Sequence, residues 1–268
     1  MPPQTIRLLS AGVDVERFFE ALAAARSRIL LLGFDGTLAP FHPRPERARP
    51  YPGLARLLDE ISAGPRSRVI VVTGRSLQGP APALGLQRPV ELWGAHGWER
   101  LVPGAPLAVY APSHAAGEAL AAAQARAAPL RHRGARVERK PASVAVHWRG
   151  LPVLPREAVR EALRRAWAGI VGTPELELVE FDGGVELRAR GRSKGEVVER
   201  VLGEAGNEAA AAYLGDDLTD EDAFAAIEGR GLGVLVRPAV RATHAAAWLR
   251  PPRELAGFLQ RWRDRVAH

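Results

Sequence analysis

The stretch Ile29-Leu30-Leu31-Leu32-Gly33-Phe34-Asp35-Gly36-Thr37-Leu38-Ala39-Pro40 decides the fold. Its apolar half runs without polar alternation, the pattern of a strand covered on both faces, as in a parallel sheet. The run breaks into a small, polar loop. In open α/β sheets that position, just beyond the carboxyl end of a strand, is where ligands and chemistry gather.

Outward from this strand the chain alternates. Residues 13–27 have the helical period, with Phe18, Phe19, Leu22 and Ala23 as a stripe. Residues 41–51 hold His42, Pro43, Pro45 and Pro50 and read as a loop. Residues 52–62 form a helix with Leu54, Leu57, Leu58 and Ile61 in register, and 68–72 a second buried strand ending at Thr73-Gly74-Arg75-Ser76. Residues 90–93 form a third, which runs into Gly94-Ala95-His96-Gly97-Trp98-Glu99. Strand, helix, strand, helix, strand is a doubly wound α/β core.

The character changes after Leu101. An alanine-rich helix over 115–130, a strand pair over 137–140 and 143–148 and a helix over 155–169 follow. Strands over 175–180 and 185–188, joined by Phe181-Asp182-Gly183-Gly184, complete an antiparallel α+β module. In the strand over 143–148, Val144, Val146 and Trp148 alternate with Ala145, His147 and Arg149. The core pattern then resumes with a helix over 193–204, a strand over 210–214, another over 231–236 and a closing helix over 252–266. Residues 239–250 receive no assignment beyond packing on the core. The expected organisation is a core over 1–100 and 189–268, interrupted by an α+β cap over 101–188.

Composition bounds the class. The 268 residues include no cysteine, which excludes disulfides and thiolate metal sites. Charges interrupt every apolar run before it reaches membrane-spanning length, so no membrane partner is expected. The first residues, Met1-Pro2-Pro3-Gln4-Thr5-Ile6-Arg7, lack the basic-then-apolar build of a signal peptide, and a cytoplasmic location is the default. The net charge of +7 is carried almost wholly by arginines scattered among Glu and Ala. They form no run interleaved with aromatics, so a solvated surface is preferred to a nucleic-acid site. Lys140 and Lys194 are the only lysines, and a compact ammonium at those two positions is a candidate for function. No feature calls for an oligomer, and a monomer is the default.

Four pieces fall at strand ends or helix starts on one expected edge of the core: Asp35-Gly36-Thr37, Thr73-Gly74-Arg75, Lys194, and Asp216-Asp217 with Asp220. Taken singly, each has a plain reading: a turn, a surface lysine, an acid-rich helix start that complements the dipole. Taken in order, they describe a phosphoryl-transfer site. Oxygen ligands without cysteine suit Mg²⁺, and a hydroxyl, a lysine and helix-start N–H groups suit a phosphate.

At this point the sequence resembles the haloacid dehalogenase superfamily of phosphatases and, more narrowly, the trehalose-6-phosphate phosphatases. The resemblance covers nearly the whole chain. Its narrower part rests on Asp35-Gly36-Thr37-Leu38-Ala39-Pro40, Glu138-Arg139-Lys140 with Val146-His147-Trp148-Arg149, Glu186-Leu187-Arg188, and Gly215-Asp216-Asp217-Leu218-Thr219-Asp220-Glu221-Asp222. It implies Mg²⁺ near Asp35, Asp216, Asp217 and Asp220, and a phosphate held by Thr73 and Lys194, with Gly36, Thr37, Gly74 and Arg75 lining its place. It makes Asp35 the general acid and then the base, and gives sugar hydroxyls to Glu138, Lys140 and Glu186. The implied partner is a small-molecule sugar phosphate and the implied reaction is hydrolysis of trehalose 6-phosphate.

The resemblance also exposes a departure. Such phosphatases carry an aspartate nucleophile two residues before the Asp35 position, and here Gly33 stands there. Phe34 points away by strand alternation and cannot substitute. Loss of a nucleophile commonly costs on the order of 10⁴ to 10⁶ in rate. Three readings stay open: a chain altered at its nucleophile, a sugar-phosphate-binding pseudophosphatase, and slow hydrolysis by a water that Asp35 activates. Another sugar phosphate, such as sucrose phosphate, is the alternative substrate.

Overall fold

The structure is a computed structural model and describes residues 6–42, 44–79, 81–181, 183–206 and 208–266. Met1 to Thr5, Pro43 and the turn residue Asp182 therefore lie outside the described residues. The chain divides into two compact units, Met1–Ala108 with Ser193–His268, and Val109–Arg192.

In the first unit the elements up to the division are β1 (Arg7–Leu8), α1 (Val15–Ala24), β2 (Ser27–Gly33), α2 (Leu54–Ala63), β3 (Ser67–Val72), β4 (Glu91–Gly94), β5 (Glu99–Leu101) and β6 (Ala108–Val109). The second unit supplies α3 (His114–Ala127), β7 (Arg136–Lys140), β8 (Ser143–His147), α4 (Val153–Trp167), β9 (Leu176–Phe181) and β10 (Gly184–Ala189). The first resumes with α5 (Lys194–Ala205), β11 (Ala209–Gly215), α6 (Glu221–Ile227), β12 (Leu232–Val236), β13 (Ala247–Leu249) and α7 (Arg253–Val266).

The core sheet has the order β1-β13-β12-β11-β2-β3-β4-β5-β6. β2 lies between β11 and β3 and is parallel to both, with Leu32 opposite Leu214 and Gly33 opposite Val72. Ile29, Leu30, Leu31 and Leu32 are fully buried, as the unalternating run requires. Leu30, Leu32, Val69, Val71, Ala212 and Leu214 share one cluster with Phe19, Leu22, Leu54, Leu58, Leu255 and Phe258 from α1, α2 and α7. The opposite face carries α5 and α6, and Tyr213 meets Phe224 of α6 edge-on at 5.7 Å.

Several element ends differ from the sequence expectation for local reasons. α1 starts after Asp14, whose carboxylate accepts the Arg17 N–H, and stops at Ala24, because Ser27 already belongs to β2. The alanine-rich helix ends at Ala127 and tightens into a 3₁₀ segment, Ala128–Arg133, where Pro129 lacks the N–H that would continue the ladder. The unassigned stretch 239–250 contains β13, parallel to β12 with Leu235 opposite Trp248. β5 runs antiparallel to β4 and extends the core sheet beyond residue 100. The unit boundaries at 108/109 and 192/193 thus fall a few residues later than the 100/101 and 188/189 read from the sequence.

The second unit is an antiparallel sheet, β7-β8-β10-β9, with α3 and α4 against it and each other. The Trp167 indole N–H donates to the Ala123 carbonyl at 3.0 Å and ties α4 to α3. Val137, Val144, Val146, Val185 and Leu187 are buried and alternate with the charged positions of the other face.

Candidate active site

The site of the first unit is built on the loop that follows β2. The Phe34 carbonyl accepts N–H groups from Leu38 and Ala39, and the Gly36 N–H returns to the Ala39 carbonyl at 2.7 Å. Gly36 has φ +79° and faces the Asp216 carboxylate so closely that a Cβ would stand 1.9 Å from Asp216 Oδ2. Only glycine satisfies both demands. Thr37, fully buried, donates its hydroxyl to Asp216 Oδ1 at 3.0 Å. The neighbouring β-strand ends, β3 and β11, bring Thr73 and Asp216 to the same edge.

Lys194 is the first residue of α5, placed by Ser193, whose hydroxyl accepts the Gly195 and Glu196 N–H groups. Its ammonium is buried and donates to Asp220 Oδ1 at 2.6 Å. Asp220 is fully buried and saturated. Oδ1 also accepts the Tyr213 hydroxyl, and Oδ2 accepts the Asp216 and Asp217 N–H groups, each at 2.9 Å. Asp217 caps the short turn after it by accepting the Leu218 N–H. Arg237 and Arg241 donate to the carbonyls of Asp216 and Asp217 and hold the same loop from its outer side.

The electrostatics follow from burial and pairing. Burial alone would lower Lys194, but the charge and hydrogen bond of Asp220, with Asp216 and Asp217 behind it, hold it above the ordinary lysine value. Burial works to raise Asp220, yet Lys194, Tyr213 and the Asp217 N–H keep it below the usual carboxylate range. Asp216 is pushed well above that range by burial and by the charge of Asp220, against Lys194 and the Thr37 hydroxyl.

Arg75 follows Thr73 and Gly74. Its N–H donates to the Thr73 hydroxyl at 3.2 Å, and its guanidinium grips Asp35 with both prongs, Nε to Oδ2 at 2.6 Å and Nη2 to Oδ1. The guanidinium lies 4.9 Å from the centre of the Phe34 ring. Gly74 is bare for a packing reason, since a Cβ there would meet His96 Nε2 at 2.6 Å. At Gly33 a Cβ would meet the Thr37 hydroxyl at 2.8 Å, so the space a side chain would enter is partly taken by Thr37.

These positions test the fit of a resident Mg²⁺. Asp35 is committed to Arg75, Asp220 to four donors and Asp217 to a backbone N–H, and position 33 has no side chain. Asp216 is the one carboxylate of the expected set that is left, and among the described residues no group of three or more His, Asp or Glu converges. The donor set does not fit a resident Mg²⁺ held by Asp35, Asp216, Asp217 and Asp220.

Glu138, Lys140 and Glu186 lie in the second unit and share one face of its sheet. Ala145 pairs with Glu138 on one side and Glu186 on the other, so two carboxylates flank one methyl group. In the next row Ser143 lies between Lys140 and Arg188. Glu186 Oε1 accepts Lys140 Nζ at 2.9 Å and the Ser143 hydroxyl at 2.5 Å. Glu138 accepts from Arg136 and the His147 ring. Against the burial that alone would raise it, His147, Lys140 and Arg136 hold Glu138 down to about 2. Sequence reasoning missed Tyr213, Ser143, Arg237 and Arg241. Tyr213 had a signal, the one aromatic in an alanine strand one turn before an acid cluster. The two arginines lie in or beside the stretch that carried no pattern.

The fold is that of the haloacid dehalogenase-like hydrolases. The trehalose-phosphatase family profile matches residues 31–249, and the chain belongs to that family. A trehalose-phosphate phosphatase of Mycolicibacterium paratuberculosis is 31% identical over 98% of this chain and 67% of its own length. One from Mycobacterium ulcerans is 30% identical over 85% of this chain and 59% of its own. The chain thus spans about two thirds or less of these relatives. Among solved structures, the C-terminal domain of Candida albicans trehalose-6-phosphate phosphatase superposes with TM-score 0.78 at 22% identity, covering 96% of this chain and 99% of that one. A haloacid dehalogenase-like hydrolase from Bacillus subtilis gives 0.58 at 16%, covering 87% and 98%. Among the described residues no helix is long and apolar enough to cross a membrane.

Proposed function

We propose that this chain is a trehalose 6-phosphate phosphatase-like protein whose turnover is strongly reduced by Gly33. The observation that carries the reading is the paired edge of the core: Thr37 on Asp216, Lys194 on Asp220 and Thr73 beside Arg75, at strand ends and helix starts near a position with no side chain. Thr73 keeps its hydroxyl proton for a phosphate oxygen, and Lys194 supplies fixed positive charge beneath it. Asp35, once its carboxylate is released from Arg75, is the group placed to take the proton of a water that attacks phosphorus and to return a proton to the leaving sugar oxygen. In the second unit, the carboxylates flanking Ala145 and the Lys140 ammonium are groups that pair with sugar hydroxyls. The family generally uses Mg²⁺; because the donors of this chain fit it poorly, no step is assigned to the ion. The partner is a small sugar phosphate and the location the cytoplasm.

The test is phosphate release from trehalose 6-phosphate and from a panel that includes sucrose phosphate. The chain as it stands should be slow, and Gly33→Asp, assayed with Mg²⁺, should gain on the order of 10⁴ in rate, with trehalose 6-phosphate preferred. An inactive Gly33→Asp variant, or one with no preference within the panel, refutes the reading. The same Gly33 favours a second reading, a protein that binds the sugar phosphate without turnover. Rapid hydrolysis by the unaltered chain would exclude it.

A further inference from the structure

Lys194 is spent on Asp220 and is 6% exposed, so the basic group of this site that an incoming anion can reach is Arg75. Arg75 and Asp35 keep 16% and 28% of their side-chain surfaces open. The guanidinium presents its planar fork to the two oxygens of Asp35, the same arrangement in which it would grip two oxygens of a phosphate. The buried Phe34 ring lies against the guanidinium, 4.9 Å from its centre to Arg75 Cζ. Thr73, whose hydroxyl already accepts the Arg75 N–H, stands beside it with a proton to donate. Asp35 therefore occupies the place of an oxyanion.

Resting on the phosphoryl-site reading above, we infer that Arg75 is the oxyanion receptor of this chain, that it works without a divalent ion, and that Asp35 competes with the ligand from within. Binding exchanges one bidentate partner of Arg75 for another. It also sets Asp35 free at the moment a phosphoryl group arrives. The consequence is counterintuitive for a residue expected to serve the chemistry: its neutralisation should improve binding.

The probe is inorganic phosphate, titrated calorimetrically into the full chain in EDTA and again with Mg²⁺. The dissociation constant should agree within about twofold between the two conditions. Asp35→Asn should bind about fivefold to tenfold tighter, and Arg75→Gln about tenfold or more weaker, with Arg75→Lys between parent and Gln. In the double variant Asp35→Asn with Arg75→Gln the gain should vanish. Asp217→Asn separates displacement from simple loss of negative charge, because Asp217 caps a turn and does not touch Arg75. Its effect should stay under about twofold. Phosphate binding that requires Mg²⁺, an Asp35→Asn variant no tighter than the parent, or equal gains from Asp35→Asn and Asp217→Asn overturns the proposal. Circular dichroism of each variant secures the fold, and Arg75→Lys keeps the test decisive if Arg75→Gln unfolds. Failure on trehalose 6-phosphate with intact phosphate binding would refute the substrate reading and leave this one standing.

Discussion

Replacing Gly33 by aspartate should destabilise the protein in the absence of metal and make it responsive to metal for the first time. The backbone at Gly33 lies outside the left-handed region, so no strain opposes a side chain. The obstacle is Thr37, whose hydroxyl is 2.8 Å from the new Cβ and whose own Cβ is 3.4 Å away. Rotation of the hydroxyl clears the path but breaks its 3.0 Å hydrogen bond to the buried Asp216. An unsatisfied buried acceptor costs about 1–3 kcal/mol. The new carboxylate also joins Asp216, which burial already holds well above its usual range. At an effective dielectric of about 20, two ionised carboxylates about 5 Å apart repel by about 3 kcal/mol, and protonation of one caps the cost. Removing a flexible glycine returns about 0.4–1 kcal/mol. Before that protonation limits it, the net loss is about 3–6 kcal/mol, or about 6–24 °C in Tm for a chain of this size. A divalent ion at about 100 times its Kd restores about 2.7 kcal/mol, and only in the variant, because only the variant offers two facing carboxylates. Thermal unfolding in EDTA and in Mg²⁺ measures both effects. A variant within about 1 °C of the parent in EDTA, or a parent whose Tm rises with Mg²⁺ as much as the variant's, refutes the reasoning.

Two further outcomes follow from buried charge. Lys194→Met leaves Asp220 buried without its cation and should cost about 3–5 kcal/mol, with Asp220→Asn in the same chain recovering part of it; a loss under about 1 kcal/mol in denaturant titration would contradict the pairing. Glu138 is held at about 2, below its value of about 4.5 in an unfolded chain, so its contribution is present above pH 4.5 and disappears as the pH falls toward 2. Glu138→Gln should therefore lower stability at pH 7 by about 1–2 kcal/mol, allowing for solvent around a partly open pair, and the gap to the parent should close between about pH 4.5 and 2. A gap that is constant with pH in parallel thermal melts would remove the ionic account.

What could be read in advance depended on how much of each feature was local. β2, β3 and β11 are central strands buried on both faces, and their apolar runs announced them. β13 has three residues, Ala247–Leu249, beside a stretch of scattered Ala and Arg, and its strand character comes only from pairing with β12. The cap strands were legible, and so were the faces of β8, because Val144 and Val146 alternate with Ala145 and His147. The neighbours across the sheet were not legible: β10 sits between β8 and β9, and that order sets Glu138 and Glu186 on either side of Ala145. In the site, the chemical types and positions were visible but their partners were not. Asp35 and Arg75 are 40 residues apart, and nothing in either motif announces that one occupies the other. Asp220 looked like one more acid near a metal. Tyr213, four residues before Asp217 and in the strand that leads to it, shows it to be the anchor of Lys194 and of two backbone amides.

The same pairings explain how a site with no side chain at position 33 stays folded. β2 is held by backbone hydrogen bonds and by side chains that precede Gly33, so the sheet does not depend on a side chain at that position. Around it, Asp35 is paired with Arg75 and Asp220 with Lys194, while Asp216, hydrogen-bonded by the Thr37 hydroxyl, is pushed toward its neutral form by burial and by Asp220. Pairing at two positions and a raised pKa at the third avoid the cost of an uncompensated buried charge. These internal partners are also what a ligand must displace. Lys194 and Asp220 are buried from solvent, whereas Arg75 and Asp35 are partly open to it. The receptor role proposed for Arg75 makes affinity for a phosphate a difference between two bidentate partners of one arginine, which the charge at position 35 shifts.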